Sequence, residues 1–195
     1  RLTDVTGVQT CALPISDNNA GYYVAMGPRF EDVGTWVGAN LYRSTNNIDY
    51  TSILSVALAA GIGFTQTALA DGPTHLWDEA ATVDIIMRNY DLESITADRV
   101  LNGENGILLG SEVLKYREAE MLAVDTYRLS GLLRGRRGTE WATGTHVAGE
   151  RAILLAPGLL QRHVPDIDQI GLERYYKGVS VYHDPNDALG FIFTP

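Results

Sequence analysis

"YRLSGLLRGRRGTEWATGTH", residues 127–146, carries two structural signals in succession. The first half alternates: Tyr127, Leu129 and Gly131 fall on one face of an extended strand, and Arg128, Ser130 and Leu132 on the other. The second half breaks that alternation. Gly135 and Gly138 bracket Arg136 and Arg137, and glycine takes positive φ without a steric penalty. The stretch reads as a strand running into a tight corner.

Its neighbours read the same way. "GYYVAMG" (21–27), "WVGANLYRS" (36–44), "DYTSILSVAL" (49–58), "GFTQTALA" (63–70), "TVDIIM" (82–87) and "ESITA" (93–97) are β-branched or aromatic runs set apart by Gly, Asn, Asp and Pro. "ILLG" (107–110), "RAILLA" (151–156), "RYYKGVSVY" (174–182) and "GFIFT" (190–194) continue the series, with "LNGENG" (101–106) as a turn. "EVLKYREAEML" (112–122) contains good helix formers, yet its residues alternate imperfectly and its flanks are strands, so it too reads as a strand. No segment sustains a 3.6-residue period over a dozen residues. The expected fold class is all-β, mainly antiparallel, a sandwich or split-barrel-like domain with little helix.

Composition narrows the function. The chain has 195 residues, 45% hydrophobic and 20% charged, which is a globular balance. Its net charge of −9 argues against direct nucleic-acid binding, which relies on basic stripes. No apolar run reaches the 18 or so residues of a transmembrane helix, so no transmembrane segment is expected. Residues 5–15, "VTGVQTCALPI", coincide with the translation of a common sequencing-library adapter, and residues 1–15 are set aside as not native. Cys11 goes with them, which leaves no cysteine for a disulfide, a thiolate metal site or a nucleophile. The remainder reads as one β-rich domain over 16–172, then closing strands over 173–195 that lead into a further module.

Motifs for chemistry are sparse. His75, His146, His163 and His183 stand apart at spacings that make no local metal site, and read as isolated surface or turn residues. "DPND" (184–187) lacks the further oxygen ligands of a calcium loop and reads as a turn. Glu118 and Glu120 share a strand face, but a glycosidase needs two carboxylates opposed across a cleft. G-x-S-x-G, P-loop and dinucleotide signatures are absent. No catalytic residue, cofactor or metal is expected. The candidate motif is Arg134, Gly135, Arg136, Arg137, Gly138, Thr139 and Glu140. Its arginines either grip a carboxylate or phosphate, or form a structural corner paired with Glu140, Glu150 or neighbouring acids; the corner is the expectation.

"YRLSGLLRGRRGTE" followed by "HVAGERAILL" (146–155) resembles phage tail-tip and baseplate hub proteins, above all the large baseplate (megatron) protein of gene transfer agents, with kinship to the host-specificity protein J group. "GYYVAM", "WVGANLYRS", "GENGILLGSEVLKYREAEML" and "YYKGVSVY" extend the likeness in consistent order. The resemblance implies a non-enzymatic virion component at the tail tip, part of a trimeric hub. Its implied partners are other tail and baseplate proteins and a host cell-surface receptor. It transfers no catalytic residue. The alternatives are a carbohydrate-binding adhesin module, with Trp36, Trp77, Trp141 or the tyrosines stacking on sugars, and a cell-wall glycan hydrolase.

Overall fold

The computed structural model describes residues 10–11, 21–28, 36–181 and 183–195. Strands β1 (Thr10–Cys11), β2 (Tyr22–Val24), β3 (Ala39–Ser44) and β4 (Thr51–Val56) come first. Six more follow: β5 (Ile62–Thr65), β6 (Val83–Ile86), β7 (Gly106–Leu109), β8 (Glu112–Ala123), β9 (Thr126–Arg136) and β10 (Arg151–Leu154). The series ends with β11 (Gln161–His163), β12 (Arg174–Ser180) and β13 (Gly190–Phe193). Among the described residues every strand pairing is antiparallel and helix is confined to short segments, so the chain is all-β, as the alternating sequence leads one to expect.

The chain divides into two compact units, Gly61–Pro157 and the two flanking stretches together. The sequence boundary at 172/173 falls inside the flanking unit. That unit is discontinuous in sequence, and a reading by consecutive runs does not detect pairing across a hundred residues. In it, β13-β12-β3-β4 form one sheet and β1-β2-β11 another. Its core holds Tyr22, Val24, Met26, Leu41 and Tyr176, with Phe191 and Phe193 packed against them. The Tyr22 and Tyr176 rings meet edge-on at 6.2 Å, and burial pushes the Tyr22 hydroxyl far above the ordinary tyrosine range.

β1 lies within the residues set aside as adapter-derived, yet Thr10 and Cys11 pair with Val24 and Tyr23. Backbone hydrogen bonds let an extended segment join a sheet edge whatever its side chains. Val8, Leu13 and Ile15 lie outside the described residues.

The second unit is a closed barrel in the order β10-β5-β6-β9-β8-β7. Val83, Ile85, Ile107, Leu109, Leu114 and Leu129 are fully buried in it, and closure leaves the barrel without sheet edges. "ESITA" is not a strand. Thr96 instead accepts a hydrogen bond from the Arg99 N–H and caps a short helix, α1 (Ala97–Leu101), whose Val100 is buried. A threonine side chain competes with strand pairing in this way, and the β-rich composition of the segment concealed it.

Candidate functional site

The arginine motif lies where β8 and β9 pair, and a bulge decides the fate of its side chains. Lys115 is opposite Leu133, but Val113 is opposite Arg136, so β9 has gained one residue over β8. Gly135 sits at the extra position with φ 58°, the left-handed conformation typical of a glycine bulge. Arg134 and Arg136 are two apart and would share a face in a regular strand. Across the bulge they part: Arg134 is fully buried and Arg136 is exposed. Arg137 (φ 58°) and Gly138 (φ 80°) complete the reversal. Thr139 fixes it, donating its hydroxyl to the Arg136 carbonyl at 2.8 Å and accepting the Val113 N–H at 3.0 Å.

Arg134 is the hub of a buried ion cluster. Its Nε and Nη2 grip Glu112 at 2.9 and 2.8 Å. Nη1 donates to the Ala70 carbonyl and Nη2 to the Thr143 carbonyl, each at 2.8 Å. Asp78 Oδ2 lies 3.5 Å from Nη1 and makes no hydrogen bond, while Asp78 Oδ1 accepts from the Ala80 and Ala81 N–H groups. A side chain at Gly72 would overlap Asp78 Oδ2, so glycine there lets the loop close over the cluster. Arg134 thus ties residues 70–81 and the 140–146 segment to the barrel wall.

His146 extends the cluster. Its Nε2 meets Glu112 at 2.6 Å and its Nδ1 meets Glu150 at 2.7 Å. Two carboxylates on two ring nitrogens call for two N–H donors, hence the imidazolium. The Glu112 hydrogen bond is the main influence raising the His146 pKa, against burial, with Glu150 adding to it. Burial by itself would push Glu112 up, but His146, Arg134 and the Gly135 N–H (2.6 Å) together hold its carboxyl below the usual range. At the cluster's margin Asp71 accepts the Thr143 hydroxyl at 2.6 Å, and that bond is the first cause of its lowered pKa.

Several expectations need correction. His146 is not a surface or turn residue but a buried ion-cluster member. Arg134 pairs with Glu112 and Asp78, not with Glu140 or Glu150. Sequence alone does not point to Glu112 or Asp78 as the partners of Arg134, since a buried charge looks like an exposed one there. Among the described residues, no group of three or more His, Cys, Asp or Glu is arranged to hold a metal ion. Both nitrogens of His146 are already engaged.

The remaining candidates lie apart. Glu118 and Glu120 are exposed on β8, with Glu118 held by Arg117 at 3.1 Å. Trp36 donates to the Ala57 carbonyl, Trp77 lies under the Arg117 guanidinium, and Trp141 is 69% exposed. His163 packs on the Tyr22 ring, and Asp184 caps the turn Pro185–Asp187. A groove of about 920 Å³ opens in the barrel unit beside Tyr90, Glu93, Arg99, Asn105 and Leu155; none of the three tryptophans lines it.

No curated protein matches the chain. Residues 60–153 match the family model described as Rcc01698-like, C-terminal. That stretch is nearly coextensive with the barrel unit and contains Asp78, Glu112, Arg134, His146 and Glu150. The match to the Rcc01698-like C-terminal model covers just under half of the chain, within which the barrel strands lie but for Leu154.

Proposed function

We propose that the chain is a structural component of a phage or gene-transfer-agent tail tip or baseplate, assembled as a trimeric hub that helps attach the particle to its host. The observation that supports this most is the use made of Arg134. The charge that could have gripped a ligand is fully buried and engaged internally, where it fixes two loops to the barrel. Those loops display exposed Leu76 and Trp141, in the manner of a rigid assembly face. The family-model match to residues 60–153 and the tail-hub likeness of "YRLSGLLRGRRGTE" support the same reading.

In this reading the protein acts in the virion, without catalysis, cofactor or metal. Its partners are neighbouring tail proteins, further copies of itself and a host-surface receptor. The test is immunogold labelling of particles carrying an epitope-tagged chain. Label at the distal tail end is expected. Label on the head, or none on purified particles, would refute the proposal.

A further inference from the structure

The groove in the barrel unit contains a polar group that the fold itself does not use. Tyr116, on β8, is only 1% exposed, yet it lines the groove. Its hydroxyl makes no hydrogen bond among the described residues, nor is it sealed off by surrounding atoms. Buried hydroxyls are partnered in the great majority of cases, so an unpartnered one lining a groove is directed at a ligand. Burial, with Tyr90, Glu93 and Tyr127 around it, pushes its pKa well above the ordinary tyrosine range, so it remains a donor at neutral pH. Tyr90, 40% exposed, and the exposed Glu93 line the same groove, and neither side chain has a hydrogen-bond or ion-pair partner among the described residues. Asn105 braces the site: its amide donates to the Glu93 carbonyl at 2.8 Å, and its backbone carbonyl accepts the Tyr116 N–H at 3.2 Å. Leu155 and Pro157 supply an apolar wall, and Asn102 an exposed amide.

We infer that this groove binds a neutral saccharide segment of a host-surface glycan. Elimination carries the choice. Three acids, Asp91, Glu93 and Glu104, line the groove against two arginines, Arg88 and Arg99, so an anionic ligand meets no surplus of positive charge. Arg99 is already paired with Glu104, at 2.9 Å from its Nε. A wholly apolar ligand would cover the Tyr116 hydroxyl, Glu93 and Asn102 and leave them unpaired, which is costly. A peptide strand would need a free sheet edge to pair with, and the closed barrel has none. A sugar ring meets each demand. Its hydroxyls accept from Tyr116 and Asn102 and donate to Glu93, while its C–H face lies against Tyr90 or the Leu155 wall. The groove, about 920 Å³, is of the size of small-ligand sites, which run from roughly 300 to 1,000 Å³. The inference deepens the attachment role proposed above by naming the receptor's chemistry, and it rests on that reading for the source of the ligand.

The test uses the full chain with maltotriose, cellotriose and chitotriose, followed by calorimetry and saturation-transfer NMR, and with sialyllactose as the anionic comparison. At least one neutral sugar is expected to bind at millimolar concentration, and more tightly than sialyllactose. Tyr116→Phe removes only the hydroxyl, so binding should weaken roughly tenfold while the thermal midpoint stays that of the parent. Tyr90→Ala and Glu93→Gln, both at exposed positions, should weaken binding with the fold intact by circular dichroism. No binding of any neutral sugar, sialyllactose binding as well as the best of them, or affinity unchanged in Tyr116→Phe would overturn the inference. A lowered midpoint in Tyr116→Phe would do so too, since the hydroxyl would then serve the fold. The outcome is separable from particle labelling, since saccharide binding can stand while the tail location fails, and the reverse.

Discussion

Replacing Arg134 by methionine is the most direct perturbation of the barrel. The substitution keeps roughly the same length and apolar stem, and removes one buried charge. Glu112 then loses a bidentate partner, Asp78 loses its neighbouring cation, and the Ala70 and Thr143 carbonyls lose their donors. Breaking a buried pair from one side costs about 3–5 kcal/mol, because the charge left behind is uncompensated. For a chain of 195 residues each kcal/mol moves the midpoint by about 2–4 °C, so Arg134→Met should melt roughly 6–20 °C lower. Arg136→Ala, two residues away and exposed, should stay within about 0.5 kcal/mol of the parent. The assay is thermal unfolding by circular dichroism and calorimetry on both variants. Adding Glu112→Gln to Arg134→Met should recover part of the loss, since it removes the stranded carboxylate. A cost below about 1 kcal/mol for Arg134→Met, or an equal cost for Arg136→Ala, would refute the claim that the cluster holds the loops.

Gly138→Val should cost about 1–3 kcal/mol from backbone strain alone, since its φ is 80° and an added Cβ would meet nothing within 4 Å beyond its chain neighbours. Gly135→Val should cost more, because a Cβ there would also lie 2.8 Å from Glu140 Cα and 2.9 Å from Thr74 Cγ2; chemical denaturation of both variants gives the order. The cluster also sets a pH window. His146 has a raised folded pKa, so its contribution is complete below the unfolded value of about 6.5 and is lost as pH rises through the folded value. Glu112 has a lowered one, so its contribution is present above its unfolded value of about 4.3 and is lost as pH falls through the folded value. Stability against urea should therefore peak between about pH 4.5 and 6.5, and His146→Gln should flatten the alkaline limb. An unchanged alkaline limb in that variant would remove His146 from the account.

The strands were legible where one face is buried and the other is not, as in β6, where Val83 and Ile85 point inward between half-buried neighbours. The long strand 112–122 is legible despite its helix formers from its imperfect alternation and strand-like flanks, and β9 pairs with it along nearly its whole length. β11 was missed. Its three residues, Gln161, Arg162 and His163, are all half-buried and carry no apolar alternation, and they join β2 through backbone bonds. The corner glycines were legible because positive φ leaves a trace in residue type. The ion cluster left none: Glu112 and His146 are 34 residues apart, and nothing local distinguishes a buried carboxylate from a solvated one.

The same physics ties the legible part of the site to the illegible part. A strand without a bulge would place Arg134 and Arg136 on one face, and both would be buried or both exposed. Two guanidinium groups inside the barrel would need more anionic partners than Glu112 and Asp78 provide. Two outside would leave Glu112 and His146 buried without a bidentate cation. The extra residue in β9, made possible by glycine at 135, separates the roles: one arginine locks the loops from within and the next presents its charge outside. The motif is thus a single geometric device, and its spacing matters as much as its charges. Lys at position 134 would keep the charge but not the fork that reaches Glu112, Ala70 and Thr143 at once, so Arg134→Lys should destabilise the barrel nearly as much as Arg134→Met. A lysine variant that melts like the parent would mean that charge alone, and not the fork, holds the two loops.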